Sequence, residues 1–155
     1  MKKVLALVLS LVLLLSVSAA FADKTPLTLW SIAVEGDSNR AAYLAAVDAF
    51  NAENPDYELT MEATENEAYK TKIKAAMSAG EGLPDIFFTW SMSFLGDFVD
   101  AGRVFCLDDE LPNWKDELTD TVLANSTYDG KHYGVPLTMN VVTMFANMDM
   151  LKEVG

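Results

Sequence analysis

The run Tyr69–Trp90, YKTKIKAAMSAGEGLPDIFFTW, constrains the fold more than any other part of the chain. Its first half sets Tyr69, Ile73, Ala76 and Met77 on one helical face, with Lys70, Lys72 and Lys74 mostly on the other. Gly80 suits the left-handed position that stops such a helix. Pro84-Asp85 then opens a short apolar run, Ile86-Phe87-Phe88, of the kind buried on both faces of a parallel sheet. The run ends abruptly on Trp90-Ser91. An apolar strand that delivers an aromatic and a hydroxyl to its carboxyl end is how open α/β sheets build their crevices.

The same alternation precedes and follows it. Leu27-Thr28-Leu29-Trp30 reads as a strand after Pro26, and Asp37 or Ser38 as the cap of a helix. In that helix Tyr43, Val47 and Phe50 recur at helical spacing with Leu44 beside them, and Asn54-Pro55 ends it. Tyr57, Leu59 and Met61 alternate with Glu58, Thr60 and Glu62, the pattern of a half-buried strand. Phe94, Leu95, Phe98 and Val99 form a further amphipathic helix closed by Gly102. Strand and helix alternating three times predict an α/β fold, a mainly parallel sheet with helices on both faces.

Beyond Gly102 the pattern is less regular. Val104–Leu107 reads as an edge strand or an extended crossing. Trp114, Leu118, Val122 and Leu123 suggest a helix approached through Pro112-Asn113. Asp129-Gly130 supplies the positive φ values of a tight hairpin. Val141–Ala146 reads as a strand, and Asp149 as the cap of a last helical turn.

The amino end is a targeting element. Lys2 and Lys3 precede an apolar run, Val4–Val17, and Ala20-Phe21-Ala22 fits a cleavage site, so residues 1–22 are a signal peptide and Asp23 the mature start. The apolar run falls short of the roughly 20 residues that span a bilayer. No cysteine stands at the cleavage point to accept a lipid, so the product is exported and not lipid-anchored. The chain has 11 basic and 23 acidic residues, a net charge of −12. The leader takes only lysines with it, which leaves a surface that repels nucleic acid and anionic lipid.

Cys106 is the only cysteine, so no intrachain disulfide forms, and its apolar neighbours suggest a small buried side chain. His132 has no Cys, Asp or His partner at metal-ligand spacing and is read as structural. Asp108, Asp109 and Glu110 lack the alternating oxygens and central glycine of a calcium loop, so they read as a solvated acidic turn or a helix start. No cofactor is implied. There is no G-x-S-x-G elbow and no HExxH pair, and AVEGDSNR carries one glycine, not a phosphate-cradling set.

Five fragments carry a resemblance in register along the chain: LTLW at Leu27–Trp30, FNAENPDYEL at Phe50–Leu59, YKTKIKAAMSAGEGLPDIFF at Tyr69–Phe88, FVDAGRVFCLDD at Phe98–Asp109 and DGKHYGVPLTMNVVTMFANMDMLKEVG at Asp129–Gly155. Together they resemble the extracellular solute-binding proteins of ABC importers, the large family of maltose-type sugar binders. The resemblance implies a type II periplasmic-binding-protein-like fold whose two hinged lobes close on a solute. Residues 23–136 would be the N-terminal lobe and 137–155 the crossover strand and truncated start of the second, so that against the family's usual length this sequence reads as an N-terminal portion with the second lobe missing or truncated. It also implies a monomer that captures a small solute, a sugar or oligosaccharide, in the periplasm or outside the cell and presents it to a membrane permease. Such a protein is not an enzyme. The competing reading is a secreted carbohydrate-active hydrolase with paired carboxylates, though no motif fixes two of them opposite each other.

Seven residues are candidates for ligand contact. Trp30 and Ser31 end the first strand, Trp30 to stack on a sugar ring or else pack under the first helix, Ser31 to hydrogen-bond a hydroxyl. Glu35 is the best polar group of the loop Ala33–Asp37, with a solvated carboxylate as its alternative. Tyr69 follows the second strand near Glu65 and Asn66, and a core position is its stronger reading. Trp90 and Ser91 end the third strand. Asn140 lies on the route to the second lobe, where a backbone-bonding role is equally consistent.

Overall fold

The computed structural model describes residues 24–91, 93–110, 117–138 and 145–154. The expected leader, Trp114, Asn140 and residues 141–144 of the expected last strand lie outside them. The chain divides between Thr89 and Trp90 into two compact units.

The first unit is a three-stranded parallel sheet in the order β2-β1-β3, built from β1 (Thr25–Ser31), β2 (Tyr57–Ala63) and β3 (Ile86–Phe87). Thr25 pairs with Tyr57 and Ser31 with Ala63, while Leu29 and Trp30 pair with Ile86 and Phe87. Helix α1 (Arg40–Glu53) joins β1 to β2, and α2 (Asn66–Ala79) joins β2 to β3. The β1-to-β2 and β2-to-β3 crossovers run in opposite directions along the sheet, so two right-handed connections put their helices on opposite faces. Leu29, Val47 and Leu59 are buried under α1, with Leu27, Tyr43, Phe50 and Met61 around them. Trp30, on the alternate face of β1, instead has Lys72 of α2 over its ring.

The helix ends depart from expectation. Neither Asp37 nor Ser38 caps α1. Asn39 holds the cap position without a side-chain bond, and the Asp37 carboxylate accepts the Asn39 N–H at 2.7 Å in an Asx-type turn. For α2 the cap is Glu65, whose carboxylate accepts from Glu67 N at 2.9 Å and Ala68 N at 3.5 Å. Gly80 closes that helix with φ 73°, as its sequence position implied.

The expected strand Ile86–Phe88 is shorter and less covered than its composition suggested. It spans Ile86–Phe87, and Ile86 is 45% exposed, because β3 is an outer strand of this sheet and not a central one. Asp85 registers it against β1. Its carboxylate accepts from Thr28 N at 2.8 Å and Thr28 Oγ1 at 3.0 Å, just before ladder pairing begins. At the other edge, Asn51 of α1 donates to Leu59 O at 2.9 Å and accepts from Leu59 N at 2.7 Å. That pair of bonds occupies backbone groups of β2 that an edge strand otherwise presents to another chain.

The second unit starts with α3 (Ser93–Asp100), closed at Gly102 with φ 65°. The expected segment Val104–Leu107 is an extended crossing without strand pairing of its own, although Leu107 N donates to His132 O. Helix α4 (Asp120–Leu123) contains Val122 and Leu123 and runs into a 3-10 turn, Ala124–Ser126. The hairpin is present: β4 (Thr127–Tyr128) pairs antiparallel with β5 (Lys131–His132) through Asp129 at φ 49° and Gly130 at φ 76°. Gly96 is required where it stands, since a Cβ there would lie 2.7 Å from Cε2 of Tyr128. Helix α5 (Met148–Val154) is capped by Asn147 rather than Asp149, its Oδ1 accepting from Asp149 N and Met150 N. Cys106 is half-buried, not enclosed.

Candidate functional site

The carboxyl ends of β1, β2 and β3 are drawn together by backbone bonds that outlast the strands. Ser31 O accepts from Thr64 N at 2.9 Å, and Trp30 O accepts from Phe88 N at 2.8 Å. The loop after β1 is held in shape. Asp37 N bonds to Val34 O around Glu35-Gly36, with Gly36 at φ 91° as a type II turn demands. Arg40 Nη1 donates to Ala33 O at 2.7 Å and ties the loop to α1. Glu35 therefore sits at the exposed tip of a rigid turn.

Ser31 and Tyr69 are core residues. Ser31 is fully buried and its Oγ accepts from Ala33 N at 3.0 Å, so its hydroxyl shapes the loop. Tyr69 is likewise fully buried and donates to Phe88 O at 2.5 Å, the alternative its helical spacing had left open. Burial raises the Tyr69 phenol far above its ordinary range, against the opposing effect of the Phe88 bond. Tyr43 is raised for the same reason, burial first.

Trp30 is half-exposed, and one face of its indole is taken. The Lys72 ammonium lies 3.6 Å from the ring centroid and 2.6 Å from Glu62 Oε1. That cation comes from the second helix, whereas the alternative considered for Trp30 was packing under the first. Lys72 was read only as an outward charge, and no local pattern joins positions so far apart in the chain.

In the second unit Trp90 is half-buried and Ser91 exposed. Trp90 stands edge-to-face with Phe94 at 4.9 Å between centroids, and Phe94 with Phe98 at 5.5 Å. Helix α3 also carries the hairpin, with the Tyr128 hydroxyl donating to Asp100 Oδ2 at 2.9 Å. Asp108 is no free acid of a solvated turn. Its Oδ1 accepts from His132 N and lies 2.9 Å from His132 Nδ1, which holds its carboxyl below the usual range. Among the described residues no group of three or more His, Cys, Asp or Glu is placed to hold a metal ion. A shallow depression of about 340 Å³ is lined by Asp120, Leu123, Ala124, Thr127 and His132, and by none of the six candidates among the described residues.

Residues 35–155 match the model of the bacterial extracellular solute-binding protein family. The chain belongs to that family. A solved structure from a study of xylan utilisation by the thermophilic bacterium Caldanaerobius polysaccharolyticus is 43% identical, with a TM-score of 0.65 over 71% of this chain and 28% of that one. A chitin oligosaccharide binding protein is 31% identical with the same TM-score, over 73% of this chain and 28% of the other. A binding protein of Brucella abortus is 33% identical over 69% of this chain and 26% of its own length. The chain thus spans about a quarter of its relatives' length, and its parallel α/β sheet is that of the type II periplasmic binding proteins. Among the described residues no helix is long and apolar enough to cross a membrane.

Proposed function

We propose that this chain carries part of the binding surface of a non-catalytic receptor that captures an oligosaccharide for import by an ABC permease. The observation that carries the reading is the strand order β2-β1-β3 with α1 and α2 on opposite faces of the sheet. That order makes the carboxyl ends of the strands a switch point, where open α/β sheets take their ligands. Trp30, Glu35, Trp90 and Ser91 follow those strands in the chain and keep exposed surface, and Asn140 is added from the sequence.

Support for a carbohydrate comes from the relatives of the 43% and 31% matches, whose descriptions name xylan utilisation and chitin oligosaccharide binding. An indole face and scattered neutral donors suit a pyranose, which has an apolar C–H face and a rim of hydroxyls. Residues 1–22 act as an export leader in this reading, and the mature protein works in the periplasm or outside the cell. Residues 23–136 belong to the first lobe, with 137–155 leading into the second. Bound solute favours the closed state only by its preference for that state, which the permease then recognises.

Calorimetric titration with xylo- and chito-oligosaccharides, with chromatography of the same samples, tests the reading. Saturable heat with the sugar recovered intact is expected. Shortened sugars would replace the receptor by a hydrolase, and absence of binding across both series would remove the carbohydrate.

A further inference from the structure

We infer that Phe94 is a positioning residue for Trp90, holding the indole in the orientation that stacks on a pyranose ring. The inference rests on the carbohydrate reading above. Its basis is an aromatic ladder running from the core of the second unit to its surface. Phe98 is 4% exposed, Phe94 half-buried and Trp90 half-buried, with centroid separations of 5.5 and 4.9 Å and interplanar angles of 88° and 63°. Phe94 and Phe98 are four residues apart on α3, so the helix stacks them on one face.

The base of the ladder is itself fixed. Gly96 and Phe98 are buried, and the Tyr128 ring lies against Gly96 while its hydroxyl bonds Asp100. Helix α3 therefore cannot roll without breaking the hairpin contact. Phe94 inherits that rigidity and passes it to Trp90 through their edge-to-face contact. An indole that is already ordered loses less side-chain freedom when a ligand stacks on it. In a flat recognition surface this appears as a slower dissociation rate.

The test compares Phe94→Leu, Phe94→Tyr and Leu95→Ala with the unaltered chain. Affinity and dissociation rate are measured for a xylo-oligosaccharide, and time-resolved anisotropy of Trp90 is measured without ligand after Trp30 and Trp114 are changed to Phe. Phe94→Leu should weaken binding about three- to tenfold, mainly through faster dissociation, and should free the indole. Phe94→Tyr, which keeps the ring, should restore both readouts. Leu95→Ala removes a buried neighbour and lowers the melting temperature, but should leave affinity and anisotropy unchanged. Unchanged affinity in Phe94→Leu, or equal losses in Phe94→Leu and Leu95→Ala, overturns the inference. If neither a xylo- nor a chito-oligosaccharide binds the unaltered chain, the carbohydrate reading fails and anisotropy alone decides: an indole equally fixed in Phe94→Leu overturns the positioning role, and a mobile one sustains it.

Discussion

The ammonium of Lys72 lies 3.6 Å from the centroid of the Trp30 indole, so the aromatic that ends the central strand already has a cation on one face. Glu62, the register partner of Trp30 on β2, holds that ammonium at 2.6 Å. Lys72→Met should cost about 0.5–1 kcal/mol, the usual worth of a cation–π contact near the surface. Glu62→Gln should cost less, because its partner keeps the indole and exposed ion pairs are weak. Urea midpoints of the two variants, with Trp30 emission as the probe, separate the contributions.

Tyr69 gives the alkaline limit of the fold. Its phenol is raised by burial, so folding favours the protonated form. The unfolded phenol ionises near pH 10. Stability from this group is therefore complete below about pH 10 and falls above it, by up to about 1.4 kcal/mol per pH unit, until the higher folded value is reached. Tyr69→Phe should lose about 1–3 kcal/mol at neutral pH, since Phe88 O is left without its hydroxyl donor. The same variant should show a shallower decline between pH 10 and 11.5 in denaturant titrations.

Asn51 is the guard of the outer edge of β2. Asn51→Ala removes both bonds to the Leu59 backbone and should destabilise the unit by about 1–3 kcal/mol. It also frees a donor and an acceptor on an edge strand, so sedimentation should reveal self-association that grows with concentration. A variant as monomeric and as stable as the parent would show that the edge needs no cover.

Gly96 and Tyr128 should behave as a coupled pair. Gly96→Ala gains helix propensity but drives a methyl to 2.7 Å from the ring, and should destabilise by about 1–3 kcal/mol. In a Tyr128→Ala background the ring is gone and Gly96→Ala should be neutral or stabilising. A thermal double-mutant cycle with no coupling would contradict the close approach.

Asp108 sets the acid side of the second unit. Its carboxyl is held low, first by the His132 N–H and then by the His132 side chain. A depressed folded value means that its contribution is present above about pH 4, the unfolded value, and is lost as pH falls through the lower folded one. Asp108→Asn should flatten the acid limb of a stability profile, and carboxyl resonances in the parent should place Asp108 below a free aspartate.

The parts of the fold legible in the sequence were those written in local periodicity. The two-residue alternation at Tyr57–Glu62, the helical spacing of Tyr69, Ile73 and Met77, the stop at Gly80 and the hairpin at Asp129-Gly130 each depend on neighbours within a turn or two. Ile86 misled because its composition is that of a buried strand, whereas exposure depends on strand order. Asp37 and Asp149 misled because several adjacent side chains can cap, and the backbone selects one. The place of Trp30 near the carboxyl end of β1 was readable from the strand pattern, whereas β3 stops three residues short of Trp90. The contacts that occupy or orient them, Lys72 and Phe94, required the helices to be packed or followed in space, as did the burial of Ser31 and the Asp108–His132 pair.

The most direct check of a carbohydrate receptor is collisional quenching of Trp90 during titration with xylo-oligosaccharides, in protein whose Trp30 and Trp114 are Phe. Stacking on a sugar should shield the indole saturably, at the concentrations where calorimetry shows binding. Saturable binding that leaves Trp90 as accessible as before would contradict the account.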